Sequence, residues 1–231
     1  MKIKILIFRA IFTLIVVHNI LYPLSLKLGE KGNARVVVMP LARIIKAQSL
    51  LFSDLVASGR DPDILLTFGL PSIILQNGNK IVHGYPTFSG MLDLSLHVSL
   101  GVSFFSGRYY DDNINIINPR FMVSVNNELI SEGFVIVNFI RTIGPDDFRF
   151  FSRDISFIKR FEMEGYSLFL GMTFGELECR NEKLMPFSFK ETVVDFQSGV
   201  LTRLNSNIFT GFEFKAGKNF LYFNLNFIII I

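Results

Sequence analysis

Residues 92–104 read LDLSLHVSLGVSF, with an aliphatic or aromatic side chain at every even position and Asp93, Ser95, His97, Ser99, Gly101 and Ser103 between them. Strict alternation is the period of a β-strand, whose successive side chains point to opposite faces. Strands usually run about five or six residues; read as one strand, this stretch has thirteen. A strand tilted by about 45° needs roughly 9 to 11 residues to cross hydrocarbon. The length therefore has a candidate cause in the thickness of a bilayer, and the small polar partners suit a face crowded into a narrow interior.

The same period continues to the C-terminus. Polar or glycine-containing breaks divide the chain into eight segments, at 91–105, 114–126, 129–141, 149–161, 165–177, 191–204, 207–216 and 219–231. In the fifth, Tyr166, Leu168, Leu170, Met172 and Phe174 form one face. In the eighth, Leu221, Phe223, Leu225, Phe227 and Ile229 oppose Tyr222, Asn224 and Asn226. The third segment is apolar on both faces, and the fourth places Arg153 and Lys159 on its outer face. In lipid every backbone N–H and C=O must be paired within the protein, so strands span only as a closed barrel. The fold expected is an all-β antiparallel transmembrane barrel of eight strands.

Its inward face would carry Asp93, His97, Arg120, Asp154, Arg160, Asp195, Arg203, Glu213 and Lys215, a near balance of acids and bases that allows pairing in a packed lumen. The connections are expected to alternate, with short turns at NN, EMEG and NS and longer loops at SGRYYDDN, TIGPDDF and LECRNEKLMPFSF, while AGKN before the last strand breaks the alternation.

Upstream, Lys2, Lys4 and Arg9 precede the apolar stretch 10–22, so residues 1–28 read as an export signal, with an uncleaved anchor as the other reading. Residues 29–89 form a second region, periplasmic or packed on the barrel, and residues 90–231 the barrel itself. Within 29–89, Leu41, Ile44, Ile45, Leu51, Phe52 and Leu55 recur at helical spacing, and Gly59 and Pro62 end the helix. Asn77-Gly78 between two apolar runs predicts a hairpin at 72–84. Adding that hairpin to the wall gives a ten-strand alternative.

Composition narrows the function. A net charge of +3 without a Lys/Arg cluster leaves no nucleic-acid footprint. The single cysteine, Cys179, excludes an intramolecular disulfide and a Cys-rich metal site. No G-x-G-x-x-G, P-loop, H-E-x-x-H or C-x-x-C is present, so nothing calls for a cofactor or a metal. Asp93, Ser95 and His97 are the residue types of a hydrolase. Neighbours two apart on one strand project in parallel, about 6 to 7 Å from each other, so no catalytic role is expected of them.

Lys215, Gly217, Phe220 and Tyr222 match the spacing polar-x-Gly-x-x-aromatic-x-aromatic. Through this element and the strand pattern, residues 90–231 resemble the small bacterial outer-membrane β-barrels of the OmpA, OmpX and OmpW-like group. The Asn/Ile/Lys/Phe-rich composition is similar to that of spirochaete envelope proteins. The resemblance implies the outer membrane of a diderm bacterium as location. It implies the lipid bilayer and the barrel-assembly machinery as partners, with host or envelope proteins as further candidates through the loops. It also makes Lys215, Gly217, Phe220 and Tyr222 the insertion signal. The role expected is structural, adhesive or limited solute passage. The alternative is a periplasmic or membrane-anchored β-rich carrier, in which the apolar faces turn inward around a lipid or small molecule.

Overall fold

A computed structural model describes residues 42–46, 64–75, 80–83, 86–95, 97–109, 112–127, 130–143, 148–181, 187–218 and 220–230. The expected export signal at 1–28 and the Asn77-Gly78 turn lie outside these residues. The strands are β1 (Ile64–Leu75), β2 (Lys80–His83), β3 (Thr87–Ser95), β4 (Val98–Tyr109), β5 (Asp112–Asn127) and β6 (Ile130–Ile143). They continue with β7 (Phe148–Met163), β8 (Tyr166–Asn181), β9 (Phe187–Arg203), β10 (Ile208–Gly217) and β11 (Phe220–Ile230). Every neighbour is antiparallel, and β11 returns to β1 in continuous register from Leu65↔Ile230 to Leu75↔Phe220.

The sheet is thus a closed barrel. β2 and β3 pair with successive halves of β1, Ser72↔His83 and Gly69↔Thr87, so they occupy one position in the wall and the barrel has ten strands. The ten-strand alternative is the one adopted. Its wall begins at Ile64, not near residue 90, and the last strand closes on β1 rather than on the strand near 91. Pro71, which has no N–H to give a ladder, stands where pairing from β1 to β2 and β3 is interrupted. Pro119 on β5 falls in a similar gap, between Ile117↔Arg141 and Arg120↔Asn138.

The stretch 92–104 is two strands. β3 ends at Ser95 and β4 begins at Val98, with Ser95↔Val98 and Asp93↔Ser99 paired across the turn. Pairing Ser95 with Val98 alone would set odd residues of β3 against even residues of β4; the register shift between Asp93 and Ser95 restores even with even, as in Leu92↔Leu100, so Leu92, Leu94, Leu100, Val102 and Phe104 all lie on the outer, exposed face.

The same orientation holds around the wall. Exposed side chains include Phe121, Val125, Phe139, Phe157, Leu170, Met172, Phe174, Val194 and Phe196, whereas Asn118, Arg120, Asp154, Asp195 and Gln197 are buried. The inverted, carrier-like arrangement is therefore not found. On β7 and β8 the outer apolar face runs in five paired rungs, from Met163↔Tyr166 to Ile155↔Phe174. Eight steps of about 3.4 Å, tilted by about 40°, give a height of roughly 20 Å, close to the apolar band of a membrane barrel.

Above the band the ladder continues with a different exterior. Arg153↔Glu176 follows, then Glu178 and Arg180, with Lys190 on β9. Arg153 Nη2 lies 3.9 Å from Glu176 Oε2, Lys190 Nζ 2.5 Å from Glu176 Oε1, and Arg180 Nη2 2.6 Å from Glu178 Oε1. Arg153 thus belongs to a charged collar outside the hydrocarbon. The long loops expected at this end are largely strand: residues 110–111, 144–147 and 182–186 are all that separate β4 from β5, β6 from β7 and β8 from β9. At the opposite end the β3–β4, β7–β8 and β9–β10 turns are also short, and Gly165 takes φ 86° in the β7–β8 turn.

Candidate functional site in the barrel lumen

Inward side chains are layered in three tiers. At the end carrying the β7–β8 turn, Leu65, Met91, Met122, Phe134, Ile136, Ile158, Phe169, Leu201 and Ile228 form an apolar tier. At the other end Phe105, Ile114, Ile116, Ile140, Phe150, Leu177, Cys179 and Val193 form a second, which includes Ala42 and Ile45. Those two residues are not wall residues. Residues 42–46 are helical, and Ala42, Ile44, Ile45 and Lys46 are each at most 1% exposed, so this segment sits inside the barrel. Ile44 packs with Ile73, Phe220 and Tyr222. Of the helix expected over 41–57, residues 42–46 are helical and lie in the lumen rather than in the periplasm or on the outside of the wall, while 47–57 and the expected end at Gly59 and Pro62 lie outside the described residues.

Between the tiers lies a polar belt. Asp93 accepts a 2.5 Å hydrogen bond from Ser99, and Arg120 donates to Ser89 at 2.6 Å. Ser156 and Thr173 share a 2.7 Å bond, and Gln197 donates to Thr173 at 3.1 Å. Asn224 donates to Glu213 at 3.3 Å and to Asn226 at 2.6 Å. Lys215 Nζ lies 3.7 Å from Glu213 Oε2 and 4.5 Å from the centre of the Tyr222 ring.

The helix joins this belt through charge. Lys46 Nζ is 3.0 Å from Asp154 Oδ1 on β7 and 3.6 Å from Asp195 Oδ2 on β9, with all three side chains at most 2% exposed. Ser152 also donates to Asp154 Oδ1, at 3.0 Å. One turn away, Arg43 Nη2 lies 3.3 Å from Glu191 Oε2, and Lys218 Nζ lies 2.8 Å from Oε1 of the same carboxylate. Removing one partner of a buried pair of this kind costs about 3 to 5 kcal/mol, because the other charge is left behind.

Of the nine expected lumen residues, Asp93, Arg120, Asp154, Asp195, Glu213 and Lys215 are buried in the belt. Arg160 is partly buried nearer the β7–β8 turn, against Glu132 at 3.3 Å and Glu162. His97 and Arg203 are exposed at that rim. His97 Nδ1 is 3.3 Å from Ser124 Oγ, and Arg203 donates to the Asn205 carbonyl at 3.0 Å. Of these nine, the deep belt therefore holds four acids and two bases, and Lys46 comes from outside the wall. Helical spacing over 41–57 does not single out Lys46, because the spacing says nothing of whether the helix lies inside the barrel. The motif of Lys215, Gly217, Phe220 and Tyr222 straddles the last hairpin: Phe220 and Tyr222 point inward and are buried, and Tyr222 faces Lys215.

No protein-family model and no curated protein matches this chain. Solved structures of similar shape are bacterial outer-membrane barrels. An outer membrane channel from Pseudomonas putida F1 is 9% identical, with 74% of this chain and 96% of that chain covered and a TM-score of 0.47. The translocator domain of the autotransporter NalP from Neisseria meningitidis is 7% identical, with coverages of 83% and 94% and a TM-score of 0.48. Ail, the attachment invasion locus protein of Yersinia pestis, is 11% identical, with coverages of 73% and 96% and a TM-score of 0.32.

Proposed function

We propose that this chain is a plugged, narrow passage for small solutes in the outer membrane of a diderm bacterium, and that it performs no catalysis. The observation that carries the reading is the seating of a non-wall segment in the lumen by the Lys46 contacts with Asp154 and Asp195. Eight strands enclose a lumen that wall side chains just fill. Ten enclose more, and here the added room is occupied by the 42–46 helix. Among the described residues Ala42, Ile44 and Ile45 give it apolar contacts, and Arg43 and Lys46 give it ion pairs that a change of partner can release.

With the helix withdrawn, the polar belt and the tier of Met91, Met122, Phe134 and Phe169 remain in the path. The belt would favour hydrated solutes, and the apolar tier would act as a constriction that opens when it wets. Contacts with host or envelope proteins would fall to the charged collar, because the turns between described strands are short.

The test is conductance in planar bilayers. Lys46→Glu sets a third carboxylate against Asp154 and Asp195 and is expected to convert a mostly silent wild type into a steadily conducting barrel. Silence of both proteins, when unboiled gels show both folded, would overturn the reading.

A further inference from the structure

We infer that Asp154 and Asp195 form a receptor for a primary alkylammonium group, that the Lys46 ammonium is its resident occupant, and that small primary amines are the solutes this lumen recognises. The first two parts rest on geometry alone, and the third rests on the passage proposed above.

The two carboxylates come from strands on either side of β8, where Asp154 pairs with Gly175 and Asp195 with Thr173. Gly175 supplies the room between them. A Cβ at that position would meet Asp154 Oδ1 and come within 2.8 Å of the Arg153 carbonyl oxygen. On β10, a Cβ at Gly217 would meet Asp195 Oδ1 and come within 2.6 Å of the Phe220 ring. Glycine on each neighbouring strand thus lets both acids lean over the wall and converge on a single nitrogen.

The chemistry of that nitrogen is specified. Asp154 Oδ2 and Asp195 Oδ1 are buried and take no hydrogen bond from the described residues, so acceptor capacity is left over. A primary ammonium brings three N–H donors, whereas a quaternary ammonium brings charge without donors. A bare metal cation of the hard class seeks six or more oxygens, which two carboxylates do not supply. Towards the helix the acids are followed by Phe150, Leu177 and Val193, an apolar sleeve that suits an alkyl stem. Charge below and hydrocarbon above describe an aliphatic amine.

The experiment replaces the tethered amine by a free one. Lys46→Ala in the full chain removes a propylammonium group, so n-propylammonium is the probe and tetramethylammonium at equal concentration the control. Propylammonium is expected to raise the temperature at which the unboiled gel band unfolds by about 5 °C at concentrations well above its dissociation constant. Wild type should not respond, and adding Asp154→Asn and Asp195→Asn should abolish the rise. If Lys46→Ala does not fold alone, refolding yield becomes the readout, and recovery by propylammonium but not by tetramethylammonium supports the receptor. Equal effects of the two ions, or a rise that survives loss of both carboxylates, would overturn it. Bilayer currents separate the two readings. Rescue without conductance keeps the receptor and removes the passage, whereas conductance without rescue keeps the passage and removes the receptor.

Discussion

Gly175 and Asp154 face each other across β7 and β8, and the glycine's missing side chain is what the carboxylate occupies. Gly175→Ala should therefore push Asp154 away from Lys46. Overpacking of this kind costs about 1 to 3 kcal/mol, to be read as a lowered unfolding temperature of the unboiled band. An unchanged temperature would show that the carboxylate is not fixed there. Lys159 poses the opposite problem, since it points outward at the third of the five apolar rungs, beside Leu170 and Gly133. Its ammonium bends over the Phe161 ring, 5.1 Å from the centre and one rung nearer the β7–β8 turn. A lysine at the bilayer midplane costs about 2 to 4 kcal/mol, falling to about 0 to 1 near the interface, and bending moves Lys159 towards the lower figure. Lys159→Leu is expected to stabilise the barrel by no more than ~2 kcal/mol in a bilayer unfolding titration. A destabilised Lys159→Leu barrel would mean that the ammonium has a partner it needs.

At the scale of elements, the two-residue period located β5 to β11 because alternation follows directly from a wall with lipid on one side. It did not locate their ends. Polarity along a strand marks where the outer face leaves hydrocarbon, not where the backbone ladder stops, and β8 accordingly continues through Glu176, Glu178 and Arg180 while Leu177 and Cys179 still pack inside. The hairpin within 92–104 was hidden for a related reason, since the register shift between Asp93 and Ser95 gives the apolar residues of β4 the same parity as those of β3. Only the end of β1 was visible, as the first arm of the hairpin expected at 72–84; the rest of it was hidden because Gly69 and Pro71 interrupt the pattern, and both are explained only by neighbours: Gly69 lies against Asn224 and Asn226, and Pro71 at a gap in the ladder. Single cysteines test these placements once Cys179 is replaced. His97→Cys and Arg180→Cys should react with a membrane-impermeant maleimide, and Leu100→Cys and Met172→Cys only with a reagent dissolved in the lipid. Protection of His97→Cys from the impermeant reagent would restore a single strand through 92–104.

For the whole molecule the decisive feature is that a segment outside the wall completes the charge balance within it. Without Lys46 the wall residues Asp154 and Asp195 would lose the cation they share, leaving Asp195 only the more distant charge of Lys215, and burying poorly paired charge is expensive. Closure of the wall is a separate matter, resting on the eleven paired positions between β1 and β11. Two truncations separate these contributions. A chain starting at residue 62 keeps all ten strand positions and should still migrate as a folded barrel in unboiled gels, but unfold at a lower temperature. Adding Asp154→Asn and Asp195→Asn to that truncation should recover part of the loss, because the charges that Lys46 neutralised are gone. A chain starting at residue 90 lacks β1, β2 and part of β3 and leaves β11 with an open edge, which lipid does not tolerate. It should not show a heat-modifiable band at all. If it does, an eight-strand closure through β4 and β11 is accessible to this sequence, and the seam between β1 and β11 is not what holds the barrel shut.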